Sequence, residues 1–250
     1  MNISKAVAAL EISGLHKYYG SFHALKGIDL IVNRGSFFGL LGANGAGKST
    51  SIHMICGLTK KTQGSIKVLG YEVEHHHEII SRLIGLSQQE FNLDRFFPLH
   101  KLLRYHGRLY GIGKKILDHR LDELMSQFGL WEYRNQLTHR LSGGFKRRIM
   151  LVRALLHDPE ILILDEPSAG VDIELRIDLW RYLKKLNQEG KTIILTTHYL
   201  EEAQSLCDDI ALLREGEIIL QGRKDDIVSK LKGNLINFFL PNPLETPHVE

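Results

Sequence analysis

Eight consecutive residues, Gly42-Ala43-Asn44-Gly45-Ala46-Gly47-Lys48-Ser49, constrain this chain more than any other stretch. They fit the pattern G-x-x-x-x-G-K-[ST]. The apolar run 37–41 precedes them and reads as a strand; a helix-compatible run, 50–56, follows. Strand, glycine-rich turn and helix in that order make a cradle for phosphate. Glycines permit the tight backbone turn that aims several N–H groups at one anion. The helix adds its positive N-terminal end. Lys48 is expected to reach the β- and γ-phosphates of a nucleotide, and Ser49 to offer its hydroxyl to Mg²⁺. Thr50, at the start of the helix, completes the expected phosphate contacts.

A second segment supplies what phosphate chemistry needs beyond binding. In Ile161-Leu162-Ile163-Leu164-Asp165-Glu166-Pro167, four apolar residues end in two adjacent carboxylates. A buried strand can hold Asp165 at its C-terminal edge, where it binds Mg²⁺ directly or through water. Glu166 next to it can polarise the water that attacks the γ-phosphate. A pair of surface carboxylates at a strand end is the plainer alternative, but the phosphate loop upstream favours the chemical one.

The rest of the pattern suggests how these pieces are carried. Candidate strands run over 9–15, 28–32, 37–41, 66–69, 161–164, 192–196, 210–213 and 217–220. The runs at 37–41, 161–164 and 193–195 are continuously apolar, as in strands buried on both faces of a sheet covered by helices. Early strands follow one another without helices between them, so part of the fold is expected to be antiparallel. Between about 90 and 157 the period changes to helical: 99–110, 115–128 and 144–156, punctuated by Gly111 and Gly113. Another amphipathic helix is expected over 173–189. The expected fold is therefore α/β: a P-loop NTPase core with a mixed sheet, a small antiparallel β region and an inserted helical subdomain. A single ATP-binding domain is expected over 1–240, with a loose proline-containing tail over 241–250.

A third motif, Leu141-Ser142-Gly143-Gly144, stands before a helical run. Serine and two glycines at a helix start can bind an anion. They can equally form an ordinary helix N-cap, with Ser142 as the capping residue. Taken together, the P-loop, this LSGG and the ILILDEP segment resemble the ABC ATPase family in order and spacing, over about residues 10–231. The resemblance implies that Ser142, Gly143 and Gly144 of one subunit grip the nucleotide held by the P-loop of a second. It implies an adenine-stacking role for Tyr19, with Tyr18 as rival. It also implies that Gln89 touches Mg²⁺ and relays to a membrane partner, that Asp172 meets the opposite subunit, and that His198 contacts the γ-phosphate and helps hold attacking water. Catalysis is then assigned to Glu166, His198 and Lys48, and metal binding to Ser49, Gln89 and Asp165. Phe145 departs from the glutamine that often follows LSGG. It resembles, with Ala169-Gly170-Val171-Asp172 and the segment from Thr197 to Ala203, the ATPases of drug and polysaccharide exporters.

What this implies is an ATP-hydrolysing subunit, dependent on ATP and Mg²⁺, that powers a separate membrane-spanning permease chain. A second copy of the ATP-binding subunit is the expected partner, in a homodimer. The alternative is a soluble regulatory ATP-binding module acting on a non-membrane partner. No apolar run approaches the ~20 residues a membrane helix needs, and the start is too weak for a signal peptide. The chain is expected in the cytoplasm, peripheral on the cytoplasmic face of the inner or plasma membrane. A net charge of +3 does not point to nucleic acid. Lys146-Arg147-Arg148 with Arg153 is expected to be a solvated face near phosphate, and His75-His76-His77 to open a solvated helix turn. Cys56 and Cys207 suit buried apolar positions in a reducing compartment. Phe91, Phe96 and Phe97 are either partner contacts or core.

Overall fold

The computed structural model describes residues 8–91, 93–171 and 173–232. Asp172 and the expected tail at 241–250 lie outside the described residues. Among the described residues the strands form two sheets. The first has the order β2-β1-β4-β5, with β1 at Leu10–Tyr19, β2 at Phe22–Val32, β4 at Gln63–Val68 and β5 at Tyr71–Glu72. It is antiparallel throughout. The second has the order β10-β9-β3-β8-β7-β6, with β3 at Phe37–Leu41, β6 at Ile84–Ser87, β7 at Ile161–Asp165, β8 at Thr192–Thr197, β9 at Asp209–Arg214 and β10 at Glu217–Arg223. Its strands are parallel except β10, which pairs antiparallel on β9 at one edge.

The continuously apolar strands are explained by their period of two. Successive side chains point to opposite faces, and here both faces are covered. Phe37 and Leu41, Leu162 and Leu164, and Ile193 and Leu195 enter one core, shared with the helices. Phe38 and Leu40, Ile161 and Ile163, and Ile194 enter the other, shared with the antiparallel sheet and α1, Lys48–Ile55. The remaining helices are α2, His77–Leu83; α3, Leu99–Leu109; α4, Lys114–Gln127; α5, Gly143–Leu155; α6, Ile173–Gln188; α7, Leu200–Leu206; and α8, Lys224–Lys232. The helices α3 to α5 stand between β6 and β7 in the chain, as the change of period indicates.

Two strands escape the sequence pattern. β6 is only four residues long and carries Gly85, so its apolar signal is weak. The glycine has a tertiary cause: a Cβ there would lie 2.2 Å from the backbone oxygen of Ala154 on α5. β5 is a two-residue edge pairing. β1 and β2 also run further than their apolar residues indicate, because their polar ends continue as an exposed hairpin in which Tyr19 pairs with Phe22.

Two expectations are corrected, and two alternatives left open by the sequence are narrowed. Arg147 is no part of a solvated face: it is 3% exposed, because α5 is wrapped by the sheet and Phe91. Ser142 occupies the N-cap position of α5, but its side chain makes no capping hydrogen bond and is exposed. Ser142 is thus the N-cap by position, without a side-chain cap. Phe91, Phe96 and Phe97 are exposed rather than core. Cys207 is buried against Gly39, and burial pushes its thiol pKa up; Cys56, expected buried, is only partly so, and the packing around its thiol, with the charge of Asp165, pushes its pKa up to about 12.

Candidate functional site

The parallel strands β3, β8 and β7 stand side by side, and their C-terminal ends lie level: Leu41 is opposite Thr197, and Asp165 opposite Thr196. In open α/β sheets this edge is where ligands bind. The P-loop leaves β3 here, Glu166 follows β7, and His198 follows β8. Gly42 N donates to the Thr197 carbonyl at 3.2 Å, which pins the loop to the sheet edge.

The glycines of the loop are required by geometry. A Cβ on Gly42 would lie 2.3 Å from the Leu213 carbonyl oxygen. Gly47, at φ 110°, is the N-cap of α1, in a left-handed conformation that disfavours any side chain. Ala46 is buried behind the loop, and its carbonyl accepts from Gly216 N at 3.0 Å. Asn44, Gly45, Gly47, Lys48, Ser49 and Thr50 line a cleft of about 460 Å³. Tyr19, Phe22, Ala24, Gln89 and Glu166 line its other walls. This size suits a small-molecule ligand.

Glu166 is where the site converges. Its carboxylate is nearly buried. Oε1 stands 3.1 Å from Lys48 Nζ, and Oε2 stands 3.3 Å from His198 Nδ1 and 3.4 Å from Gln89 Nε2. The His198 approach is close but not aligned as a hydrogen bond. Lys48 Nζ also donates to the carbonyls of Gly42, at 2.8 Å, and Ala43, at 3.1 Å. The backbone of Glu166 sits at φ 47°, a left-handed conformation rare for a residue with a side chain. Such strain persists only where the surroundings hold it. Here Glu166 N donates to both the carbonyl and the hydroxyl of Thr196, each at 3.1 Å. The Thr196 hydroxyl in turn donates to Asp165, which is buried.

The structure separates Tyr19 from its rival. Tyr19 lines the cleft, whereas Tyr18 stacks on His23, with ring centroids 3.8 Å apart. Lys17 Nζ covers one face of the Tyr19 ring at 4.6 Å. Ser142, Gly143 and Gly144 are not part of the cleft of their own chain. Phe22 and Ala24 are the wall residues that sequence reasoning missed. A lone aromatic carries no signal until the hairpin register places it opposite Tyr19.

Comparison with known proteins decides the family. A family model described as ABC transporter matches residues 25–169. The chain belongs to the ABC transporter family. It is 40% identical over 227 residues to the linearmycin resistance ATP-binding protein of Bacillus subtilis, covering 91% of this chain and 73% of that one. It is 38% identical to a Nod factor export ATP-binding protein I of Rhizobium etli, covering 91% and 72%. The solved structure of an ATP-binding subunit of an ABC transporter superposes with a TM-score of 0.83 at 30% identity, over 90% of this chain and 93% of that one. A dimeric ATP-binding cassette in a post-hydrolysis state, bound to ADP and phosphate, superposes with a TM-score of 0.79 at 25% identity, over 86% and 98%. This ABC subunit binds ATP and is an ATPase, and its fold is the P-loop α/β fold expected from its sequence. Among its described residues no helix is long and apolar enough to cross a membrane.

Proposed function

We propose that this ABC ATPase powers a separate membrane-spanning partner, with two copies closing head to tail around two ATP molecules. The observation that carries this reading is the position of the LSGG residues. Ser142 and Gly143 are exposed at the start of α5, outside their own chain's cleft. A Cβ on Gly143 would meet nothing within 4 Å, so no packing within the chain demands glycine there. Glycine in a helix costs about 0.5–1 kcal/mol relative to alanine. A ligand arriving from outside the chain accounts for it: the phosphates held by a second copy. Asp172 is assigned to the same interface through the family resemblance of the segment Ser168-Ala169-Gly170-Val171-Asp172.

The cleft fits a nucleoside triphosphate. Gly42, Ala43, Asn44, Gly45, Ala46 and Gly47 supply the cradle, Lys48 the cation, and Tyr19 an exposed aromatic face for the base. Ser49, Gln89 and Asp165 supply oxygen donors of the kind a hard divalent cation takes. A Mg²⁺ held by these three residues would offset the negative charge that develops on the phosphates. Lys48 is held by two carbonyls and Glu166, so it is already aimed along the loop. Glu166 is the general base, accepting the proton of the attacking water. His198, 3.3 Å from that carboxylate, orients the water and steadies γ-phosphate charge. The exposed Phe91, Phe96 and Phe97 near Gln89 form the permease-facing surface, and the chain would then sit at the membrane periphery. The export and resistance functions named for its relatives support an exporter as partner.

The test is ATP-dependent dimerisation. Glu166→Gln should bind ATP, lose turnover and sediment as a dimer in ATP. Ser142→Arg in the same background should bind ATP and remain monomeric. A Glu166→Gln protein that stays monomeric at saturating ATP would remove the head-to-tail reading.

A further inference from the structure

We propose that Arg147 is a positioning residue for the ATPase reaction: its buried guanidinium ties the start of α5 to the backbone of Gln88 and Glu166. It thereby sets where the Glu166 carboxylate and the Gln89 amide stand. The proposal rests on Glu166 being the base.

Arginine is seldom buried unless paired, yet Arg147 is 3% exposed. Its hydrogen-bond partners are two backbone carbonyls. Nη1 donates to Gln88 O at 3.0 Å, and Nη2 to Glu166 O at 2.8 Å. The planar fork of a guanidinium can hold two acceptors in fixed relation; an ammonium cannot do so in the same geometry. The two carbonyls belong to segments far apart in sequence, one after β6 and the other after β7. Each borders a residue of the site. Gln88 precedes Gln89, whose amide approaches the Glu166 carboxylate. Glu166 itself is the strained residue. Thr196 holds its N–H, and Arg147 holds its carbonyl, so the left-handed turn is fixed from both ends.

The surroundings keep the guanidinium charged and in place. Burial lowers its pKa, while Asp165, Glu166 and Glu202 act in the opposite direction. The Phe91 ring lies 5.4 Å from the guanidinium carbon. Nε is buried with no hydrogen-bond partner. A side chain placed only for stability would be expected to satisfy that donor, since a buried unpaired group is costly. Its orientation instead follows the two carbonyls. Arg147 also stands one helical turn beyond Gly143 and Gly144. A contact at the start of α5 would therefore be felt at Glu166 within the same chain, through a rigid side chain rather than a flexible loop.

Steady-state ATPase measurements on the full chain test this, with Arg147→Lys and Arg147→Gln beside the parent. Thermal midpoints and affinity for a fluorescent ATP analogue are measured in parallel. The loss of one or two charge-assisted hydrogen bonds predicts that kcat falls about tenfold in Arg147→Lys and about a hundredfold in Arg147→Gln. KM and nucleotide affinity should change by less than about twofold, as for an interaction acting only on the chemical step. Adding Arg147→Gln to Glu166→Gln should reduce turnover no further. Should Arg147→Gln fail to fold, Arg147→Lys carries the test, and a loss of kcat at unchanged melting midpoint supports the proposal. Near-parental kcat in a folded Arg147→Gln, additive losses in the double variant, or equal losses of affinity and kcat would each overturn it. Near-parental turnover in Glu166→Gln would remove the base assignment itself, a separate result from any Arg147 outcome.

Discussion

Glu166 shows how much chemistry one residue concentrates. Its carboxylate meets an ammonium, an imidazole and an amide within 3.4 Å, on a backbone that glycine would adopt more readily. General-base contributions run to ~10²–10⁴-fold, so turnover of Glu166→Gln should fall within that range, measured as phosphate release. The hairpin offers a second residue-scale prediction. Tyr19 lines the cleft and Tyr18 is spent on His23. Base–aromatic stacking is worth ~1–3 kcal/mol, so Tyr19→Ala should weaken ATP binding on the order of tenfold or more, by titration calorimetry. Tyr18→Ala should change it far less. Equal effects from the two would reassign the base-stacking residue.

At the scale of elements, the contact between α3, α5 and the sheet edge carries a pH response. His106 on α3 has its pKa lowered from 6.5 to about 4 by burial, reinforced by the charges of Arg153 and His157. His157, its ring stacked 3.9 Å from that of Tyr110 and its Nε2 on the Ile84 carbonyl, is lowered too, again chiefly by burial. The sign follows from linkage. Below about 6.5 the unfolded chain takes up protons that the folded chain refuses, so stability falls as pH drops from 6.5 toward 4. Above 6.5 His106 contributes no pH dependence. His106→Gln should flatten the acid limb of urea midpoint against pH. An unchanged acid limb would place the sensitivity elsewhere. Element types were legible here because α3 and α4 repeat apolar residues at helical spacing: Leu99 and Leu103, then Leu117, Leu121 and Leu124 are all buried. β6 was not, because Gly85 answers to the approach of α5, a neighbour some seventy residues away in the chain.

At the scale of the whole molecule, the proposal of a permease partner makes a biochemical demand. Affinity capture of this protein from detergent-solubilised membranes of its own cells should bring down a multi-span membrane protein. Recovery with ribosomes, with DNA, or only in the soluble fraction would leave the ATPase standing and remove the transport proposal. The same surface gives a sharper form of the test. Phe96 is 87% exposed, beside the half-exposed Phe97, and exposed aromatics are typical hot spots of interfaces. Phe96→Ala should reduce the recovered partner while leaving ATP binding intact.

The sequence by itself determined the P-loop, the paired carboxylates, the LSGG turn and the alternation of apolar strands with helices. Each is local: neighbouring residues set a turn, a period or a motif, and the physics acts within a few bonds of the chain. Only the tertiary structure decided that Tyr19 rather than Tyr18 faces the cleft, because that follows from hairpin register. It alone placed Phe22 in the cleft wall, Thr196 beneath Glu166, and Ser142 at a helix start that its side chain does not cap. It also moved Arg147 from an expected solvated face to the interior. An arginine's burial depends on what packs over its helix, and here that is the sheet edge and Phe91, which sequence spacing cannot bring together.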